Sequence, residues 1–493
     1  MQEQKGKLSM SKGTLKNLIG GEWVASSATQ TLPVLNPTNG EKLADCPMGT
    51  SADVDAAVQA AASAFVEWRK VPAVERARVL FRFKALLDEN HDELAKICTR
   101  EHGKTFAESK GSVRRGIENV EHACGIPALM MGDSLEDVAR GIDCLTVRQP
   151  VGVFAAVAPF NFPAMVPLWF WPYAIATGNT FIVKPSEQVP LSTARMMELA
   201  LEAGMPPGVL SMVHGGQEVV EALCDHPGIA GISFVGSTPV ARLVYERAAK
   251  SGKRVQSLGG AKNHIIVMPD APTERGVRIA TDSVFGCSGQ RCLAGSVVVG
   301  VGDGYDKLKE GLMAAANAIV VGDGFKEGVS MGPVISAAAK ERISAAIDTA
   351  EAQGANILVD GRNKTVEGCE GGHWLGPTLI NGVTSEMTLA KEEVFGPVMA
   401  LRKAASLDEA IAMVHASEYA NACSIVTDDG GAARQFKYEV GVSMLGVNIG
   451  VAAPMAFFPF GGTKASLLGD LKAHGTDSIR FYTDAKVVIS RWS

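Results

Sequence analysis

Apolar residues recur every three to four positions through residues 54–69 and 73–89, the spacing of amphipathic helices. Residues 92–101 and 113–126 continue that helical pattern. Beyond them the texture changes. Residues 145–147 and 152–157 are short, β-prone and flank Pro150. Strand and helix patterns then alternate, with strands at 180–183, 209–213 and 231–234 and helices at 192–203, 217–224 and 239–251. Such a βαβα rhythm predicts a parallel sheet covered by helices on both faces. A second α/β stretch runs from about residue 260 to 460. Residues 478–490 read as a terminal strand, which needs a partner; a sheet in another subunit is one candidate. Internal repeats and low-complexity segments are absent from the sequence.

A chain of 493 residues suggests two or three domains. With 46% hydrophobic and 20% charged residues it can bury a large core. The formal net charge of -6, without a long basic run, argues against nucleic acid as the main partner. The most apolar stretch, 151–183, is broken by Pro159, Asn161, Pro163, Pro167 and Pro172, so it reads as buried strands and turns and not as a membrane span. Residues 1–18 are polar and lysine-dotted, without the apolar core of a signal peptide; Glu3 and the lack of arginine fit a transit peptide poorly. Nine scattered cysteines, an odd number with no CxxC pair, point to a reducing compartment. A cytoplasmic location is expected, with the mitochondrial matrix as the alternative for a processed precursor. No histidine sits in a metal-ligand pattern, and no metal is expected.

Four stretches carry candidate chemistry. Residues 232–241 read as strand, tight turn, helix. There Gly236 lets backbone approach a phosphate, and Ser237 can cap the helix and offer a hydroxyl. With Ala241 where a third glycine would stand, this is no GxGxxG, and a plain structural turn explains it as well. Lys184 and Glu187 follow the strand at 180–183. An ammonium and a carboxylate there suit ribose hydroxyls, and the carboxylate would repel a 2′-phosphate, favouring NAD over NADP. Asn161 lies among aromatics and prolines in Pro159-Phe-Asn-Phe-Pro163. It either ties down its own loop or donates to a developing oxyanion. Cys287 and Cys292 share the turn GCSGQRCLAG; either can be a nucleophile, and Arg291 would favour a thiolate if its charge turns inward. Missing partner ligands make a shared metal a poor reading, and a reducing compartment disfavours a disulfide.

Six motifs then occur in order: Phe160-Asn-Phe-Pro163, Lys184-Pro-Ser-Glu187, Phe234-Val-Gly-Ser237, Leu258-Gly-Gly260, Gly289-Gln-Arg-Cys292 and Glu392-Glu-Val-Phe-Gly-Pro397. The series resembles that of the aldehyde dehydrogenase superfamily from about residue 19 to 491. The resemblance implies an α/β fold: a Rossmann-type NAD-binding domain (1–125 and 149–259), an α/β catalytic domain (260–460) and a small oligomerisation β-element (126–148 and 474–493). It selects Cys292 as nucleophile and leaves Cys287 as a neighbour. It makes Asn161, with the Cys292 backbone N–H, the oxyanion donor. Lys184 and Glu187 would bind the adenosine ribose, Gly236 and Ser237 the pyrophosphate, and Glu393 with Phe395 the nicotinamide ribose and ring.

One departure stands out. Hydrolytic members carry a glutamate in Glu-Leu-Gly-Gly-Lys that activates water. Here the stretch is Gln256-Ser-Leu-Gly-Gly-Ala-Lys-Asn-His264, placing Ser257 or Leu258 at that position. Water, with a pKa near 15.7, needs a base, whereas a thiol near 8.5 does not. The sequence is similar here to the branch that acylates coenzyme A from malonate or methylmalonate semialdehyde, as in inositol and valine breakdown. That branch implies loss of CO2 from the enzyme-bound thioester before transfer. Arg115, on a predicted helix, and Arg291 are the counter-charges offered to the substrate carboxylate; Arg115 can equally face solvent or Glu118. His264 reads as a core residue. The likeness and the terminal strand favour a homotetramer. The alternatives are a hydrolytic aldehyde dehydrogenase using Glu393 or another carboxylate as base, and a silent scaffold.

Overall fold

Fully buried strands organise the first half of the molecule. The structure, a computed structural model, describes residues 13–492, so most of the N-terminal stretch inspected for targeting signals lies outside the described residues. Val153–Val157 and Thr180–Lys184 are buried at every position, as expected for parallel strands covered on both faces. With Leu210–Met212, Ile229–Val235 and Arg254–Leu258 they form the parallel centre of an eight-stranded sheet. Val153–Val157 lies between Thr180–Lys184 and Ile229–Val235, so successive crossovers leave it in opposite directions. A crevice opens at the carboxyl ends of strands at such a point. Antiparallel strands complete both edges, including Asn17–Ile19 at one and Leu467–Leu468 at the other.

The helices follow the sequence periodicity. Ala73–Glu89 buries Ala77, Leu80, Phe83 and Leu87, a single stripe. Phe106–Cys124 begins seven residues before the expected 113, because Thr105 and Glu108 form a reciprocal capping box. A second sheet of seven strands runs Asn356–Val359, Thr378–Asn381, Val398–Ala404, Gly295–Val301, Asn263–Val267, Ala422–Val426 and Met444–Val447, parallel except for its first pair.

The chain's end differs from expectation. Residues 478–482 are not strand: Gly475–Tyr482 is a helix and Thr483–Arg491 the strand. Ser478, Ile479 and Tyr482 are buried together, an i, i+1, i+4 set that fits one helix face better than alternation. The strand pairs along all nine residues with Ile142–Pro150 of the same chain, so its partner is internal. Ser134–Ala139 completes this three-stranded sheet. No helix among the described residues is long and apolar enough to cross a membrane.

Candidate active site

A cavity of about 840 Å³ occupies the crevice at the carboxyl ends of the first sheet. Lys184 ends its strand there, and its Nζ meets Glu187 Oε2 at 2.7 Å. Burial pushes the Glu187 carboxyl up, but the Lys184 charge and hydrogen bond outweigh it and hold the group below its ordinary value. Gly236 is required by packing: a Cβ would stand 2.5 Å from the Phe234 ring. Ser237 occupies the N-cap position of the Thr238–Lys250 helix but makes no cap hydrogen bond, contrary to the sequence expectation. A cap oxygen accepts from the second or third helical N–H; Pro239, second in this helix, has none to give. Ser237, without a cap bond to either Pro239 or Val240, lines the cavity. A paired lysine and glutamate, a Cβ-free turn and an unengaged hydroxyl at a helix N-terminus suit a dinucleotide. Leu243, Val220 and Pro239 line the same cavity. The sequence reading missed these, since apolar surface residues carry no motif.

Glu393, Phe395 and Cys292 line the same cavity. Phe395 has a φ of 52° and meets Phe160 edge-on at 5.7 Å. Glu393 Oε1 accepts from Ala261 N at 3.0 Å. Burial pushes its carboxyl up to about 7, against the Ala261 hydrogen bond and the charges of Lys262 and Arg342. Gly260 has no room for a side chain: a Cβ would lie 2.5 Å from Glu393 Oε2.

Cys292 forms part of the wall of two cavities, this one and a second of about 480 Å³. Its carbonyl accepts from Asn263 Nδ2 at 2.8 Å and from Asn421 Nδ2 at 2.9 Å. Burial, reinforced by the Glu393 charge, pushes the thiol up to about 12; Arg291 and nearby backbone N–H groups pull the other way and lose. Arg291 itself does not turn to the sulfur as the sequence reading required. Its Nη2 donates to Asp282 O at 2.6 Å and Ser283 O at 2.9 Å. It thereby neutralises the carboxyl end of the Thr273–Phe285 helix, where a cation is favoured. Asn161 Nδ2 donates to Gln290 O at 3.0 Å, so the side chain ties to the nucleophile's turn and not to its own loop. A primary amide has two N–H donors, and the second stays available. Buried Lys104 donates to the Asn161 carbonyl and lies 4.0 Å from the Phe162 ring centre.

Cys287 is buried and has a left-handed backbone, φ 51°, as does Ser288 at 54°. Three bonds hold this turn: Cys287 N to Glu108 Oε1 at 2.6 Å, Ser288 Oγ to Gly332 O at 2.7 Å, and Ile335 N to Gln290 Oε1 at 3.1 Å. All nine cysteines are free thiols. Ser257 donates to Ala241 O at 2.9 Å and Leu258 is packed in the core; neither lines either cavity.

The second cavity is lined by Arg114, Arg115, Arg291 and Glu108, with Trp169, Phe460 and His474 among its aromatic residues. Arg115 Nη1 lies 2.8 Å from Glu118 Oε2, and its Nη2 donates to Pro454 O. Arg115 thus pairs with Glu118 while bordering the cavity. His264 is core, pushed down to about 3 by burial and the Lys262 charge.

A model described as "Aldehyde dehydrogenase family" matches residues 23–488. The chain belongs to that family. Malonate-semialdehyde dehydrogenase 2 of Geobacillus kaustophilus is 50% identical over 479 residues, 97% of this chain and 99% of the relative. The crystal structure of methylmalonate-semialdehyde dehydrogenase from Oceanimonas doudoroffii superposes with a TM-score of 0.96 at 45% identity, covering 98% and 99% of the two chains. A Sinorhizobium meliloti protein described as the same kind of dehydrogenase, solved with NAD, gives 0.96 at 42% identity over 97% and 98%. Within this aldehyde dehydrogenase, Lys104, Asn263 and Asn421 are the polar groups the sequence reading passed over. Each acts on a backbone carbonyl, a role with no side-chain motif. Glu108 was passed over too; its capping box with Thr105 was the signal that could have found it.

Proposed function

We propose that this aldehyde dehydrogenase oxidises malonate or methylmalonate semialdehyde with NAD and passes the decarboxylated acyl group to coenzyme A, giving acetyl-CoA or propionyl-CoA. One observation carries the reading. The position of the family's water-activating glutamate is filled by Ser257 or Leu258, and neither lines a cavity bordered by Cys292. The likeness to malonate- and methylmalonate-semialdehyde dehydrogenases over almost the whole chain supports it.

Lys184, Glu187, Gly236 and Ser237 would hold NAD at its adenosine and pyrophosphate end, and Glu393 with Phe395 at the nicotinamide end. When bound, NAD supplies the hydride acceptor. Cys292 starts as a thiol, given its raised pKa, and must lose a proton before it attacks the aldehyde. Glu393, held near 7 beside the same cavity, is a carboxylate able to take that proton. The free N–H of Asn161 and the Cys292 backbone N–H then steady the thiohemiacetal oxyanion, and after oxidation the enolate left by loss of CO2. Arg115 and Arg291 supply positive charge for the substrate carboxylate. A proton added to the enolate carbon restores an acyl thioester, which coenzyme A thiol attacks, giving up its own proton and releasing Cys292.

A second reading, hydrolysis to the free acid, draws on the same Glu393 pKa, since a carboxylate near 7 can also serve water. NADH release and product identity decide between them, with both semialdehydes and coenzyme A present or withheld. Turnover is expected to require coenzyme A, to vanish in Cys292→Ala and to survive in Cys287→Ala. Rapid free-acid formation without coenzyme A would install the hydrolytic reading. The two semialdehydes differ by one methyl, which commands about 1–3 kcal/mol of discrimination, so both are proposed as substrates. A cytoplasmic homotetramer assembled through the three-stranded sheet completes the proposal. Free cysteines and exposed apolar residues on that sheet, Leu135, Val487 and Ile489, support it.

A further inference from the structure

Every backbone carbonyl from Gln290 to Cys292 is occupied. Gln290 O accepts from Asn161, and Arg291 O accepts from Ala294 N at 3.0 Å. Cys292 O accepts from two side chains at once, Asn263 Nδ2 at 2.8 Å and Asn421 Nδ2 at 2.9 Å. Both asparagines are buried. Asn263 opens the strand Asn263–Val267, and Asn421 directly precedes its parallel neighbour Ala422–Val426. Gly295–Val301, which follows the nucleophile's turn, is the parallel strand on the other side of Asn263–Val267. The sheet therefore sets how each amide meets the carbonyl. Asn263 has a structural duty as well: its Nδ2 also donates to Ala294 O at 3.0 Å, and its Oδ1 accepts from Ala422 N at 3.0 Å. For Asn421 Nδ2 the Cys292 carbonyl is the one acceptor among the described residues. A carbonyl oxygen has two lone pairs, and buried ones are often left with a single donor. A second buried amide spent on the same oxygen exceeds what packing requires.

The consequence runs through the peptide bond. The Cys292 carbonyl is conjugated with the Leu293 N–H. Hydrogen bonds accepted at the oxygen make that N–H a better donor, by roughly 10–30% per bond. The N–H in turn serves the nucleophile. Burial and the Glu393 charge raise the Cys292 thiol, and the N–H groups of Cys292 and Leu293 draw it down. We propose that Asn263 and Asn421 are positioning residues: by filling both lone pairs of the Cys292 carbonyl they fix and polarise the Leu293 N–H toward the sulfur, and so steady the sulfur whenever it carries negative charge. It does so twice. The first time is after its proton has left and before it attacks the aldehyde. The second comes when the acceptor sulfur bonds to the acyl carbon, the bond from that carbon to Cys292 breaks, and its electron pair stays on Cys292. The first is open to test without turnover; the second rests on the acyl transfer proposed above. Replacing a neutral asparagine leaves every charge around the sulfur in place. Glu393 and Arg291 act on it directly. Glu108, Arg114, Arg115 and His474 line the second cavity, and Arg342 with the Lys184–Glu187 pair the first.

The test is made at Asn421, because Asn263 then stays to hold its strand. Asn421→Leu and the smaller Asn421→Ala remove the donor, and Asn421→Gln keeps one. Each enzyme is treated with iodoacetamide at pH 8, and the rate is read by mass spectrometry on the Cys292 and Cys287 peptides. Cys287 borders the same second cavity, but its carbonyl accepts from Gln290 N, so it reports any general loosening of the turn. The donor-deleted variants are expected to alkylate Cys292 about three- to tenfold more slowly than wild type, with Cys287 within about twofold. The glutamine variant should lie closer to wild type than they do. Rapid-quench kinetics on malonate semialdehyde should show NADH formation and transfer to coenzyme A slowed by a similar factor, with KM for the semialdehyde within about twofold. Unchanged or faster alkylation of Cys292 in the donor-deleted variants, a parallel change at Cys287, or equal slowing in a stably folded glutamine variant would each overturn the assignment. Slowed alkylation with unchanged transfer to coenzyme A would overturn its second half. A wild type that forms no acyl-CoA would sink the proposed reaction, and the alkylation comparison would still decide the role of the asparagines at the sulfur.

Discussion

Two cysteines five residues apart meet different fates because their surroundings differ. Cys292 borders both cavities, whereas Cys287 borders the second but not the first, and its backbone N–H holds a turn through Glu108. Asn161 is tied to that turn through Gln290, so its removal loosens the site as well as deleting a donor. Asn161→Ala is expected to lower kcat by about 10²–10³-fold, with a smaller change in KM, in steady-state assays. Glu393 gives a pH signature. Its carboxyl is raised in the folded state from 4.5 to about 7, so the fold binds that proton more tightly than the unfolded chain does. The resulting contribution is complete below about pH 4.5 and is lost as pH rises through 7. Melting temperatures of wild type and Glu393→Gln, compared from pH 5 to 8, should diverge in favour of the glutamine variant as pH increases.

The turn from Gly286 to Cys292 is the element on which the chemistry depends. Gly289 has φ 69°, and a Cβ there would lie 2.0 Å from the Gly396 carbonyl, so this glycine lets the nucleophile's turn press against the Glu393–Phe395 segment. Gly289→Ala is expected to abolish turnover and lower the melting temperature together, measured by NADH release and thermal denaturation. Glu108→Ala should act more mildly. It loses the N3 half of the capping box while the Thr105 cap stays, and it frees Cys287 N, so kcat should fall while the Cys292 thiol stays alkylatable. This element also shows where sequence reading reaches its limit. Glycines and the cysteine announce themselves by type and spacing; the Thr105/Glu108 box could have done so and was passed over. The grip of Lys104, Asn263 and Asn421 on backbone carbonyls does not, because it depends on segments 57, 29 and 129 residues apart meeting in space. For the same reason the helix end that Arg291 serves was hidden, although its adjacency to Cys292 was visible. The alternating strands and helices of the first sheet were legible because buried parallel strands leave continuous apolar runs. The terminal helix was not, because five residues are too few for periodicity to separate helix from strand.

At the scale of the molecule, the three-stranded sheet presents Leu135, Val487 and Ile489 at 58–69% exposure. Such an apolar face on a small outlying sheet suits burial against another copy. A Val487→Lys/Ile489→Lys double variant keeps its internal pairing to Ile142–Pro150, since those contacts run through the backbone. It is expected to fold and to elute from a sizing column as a smaller species than wild type. The placement of Cys292 has a different reach. A single sulfur serves as a common doorpost for two chambers, so an acyl group resting on it alters the fit of whatever stands on either side. The first product should have to clear the doorway before the acceptor thiol can strike. Initial-rate plots at several fixed acceptor concentrations would then run parallel instead of converging, the mark of a relay with one runner on the track at a time.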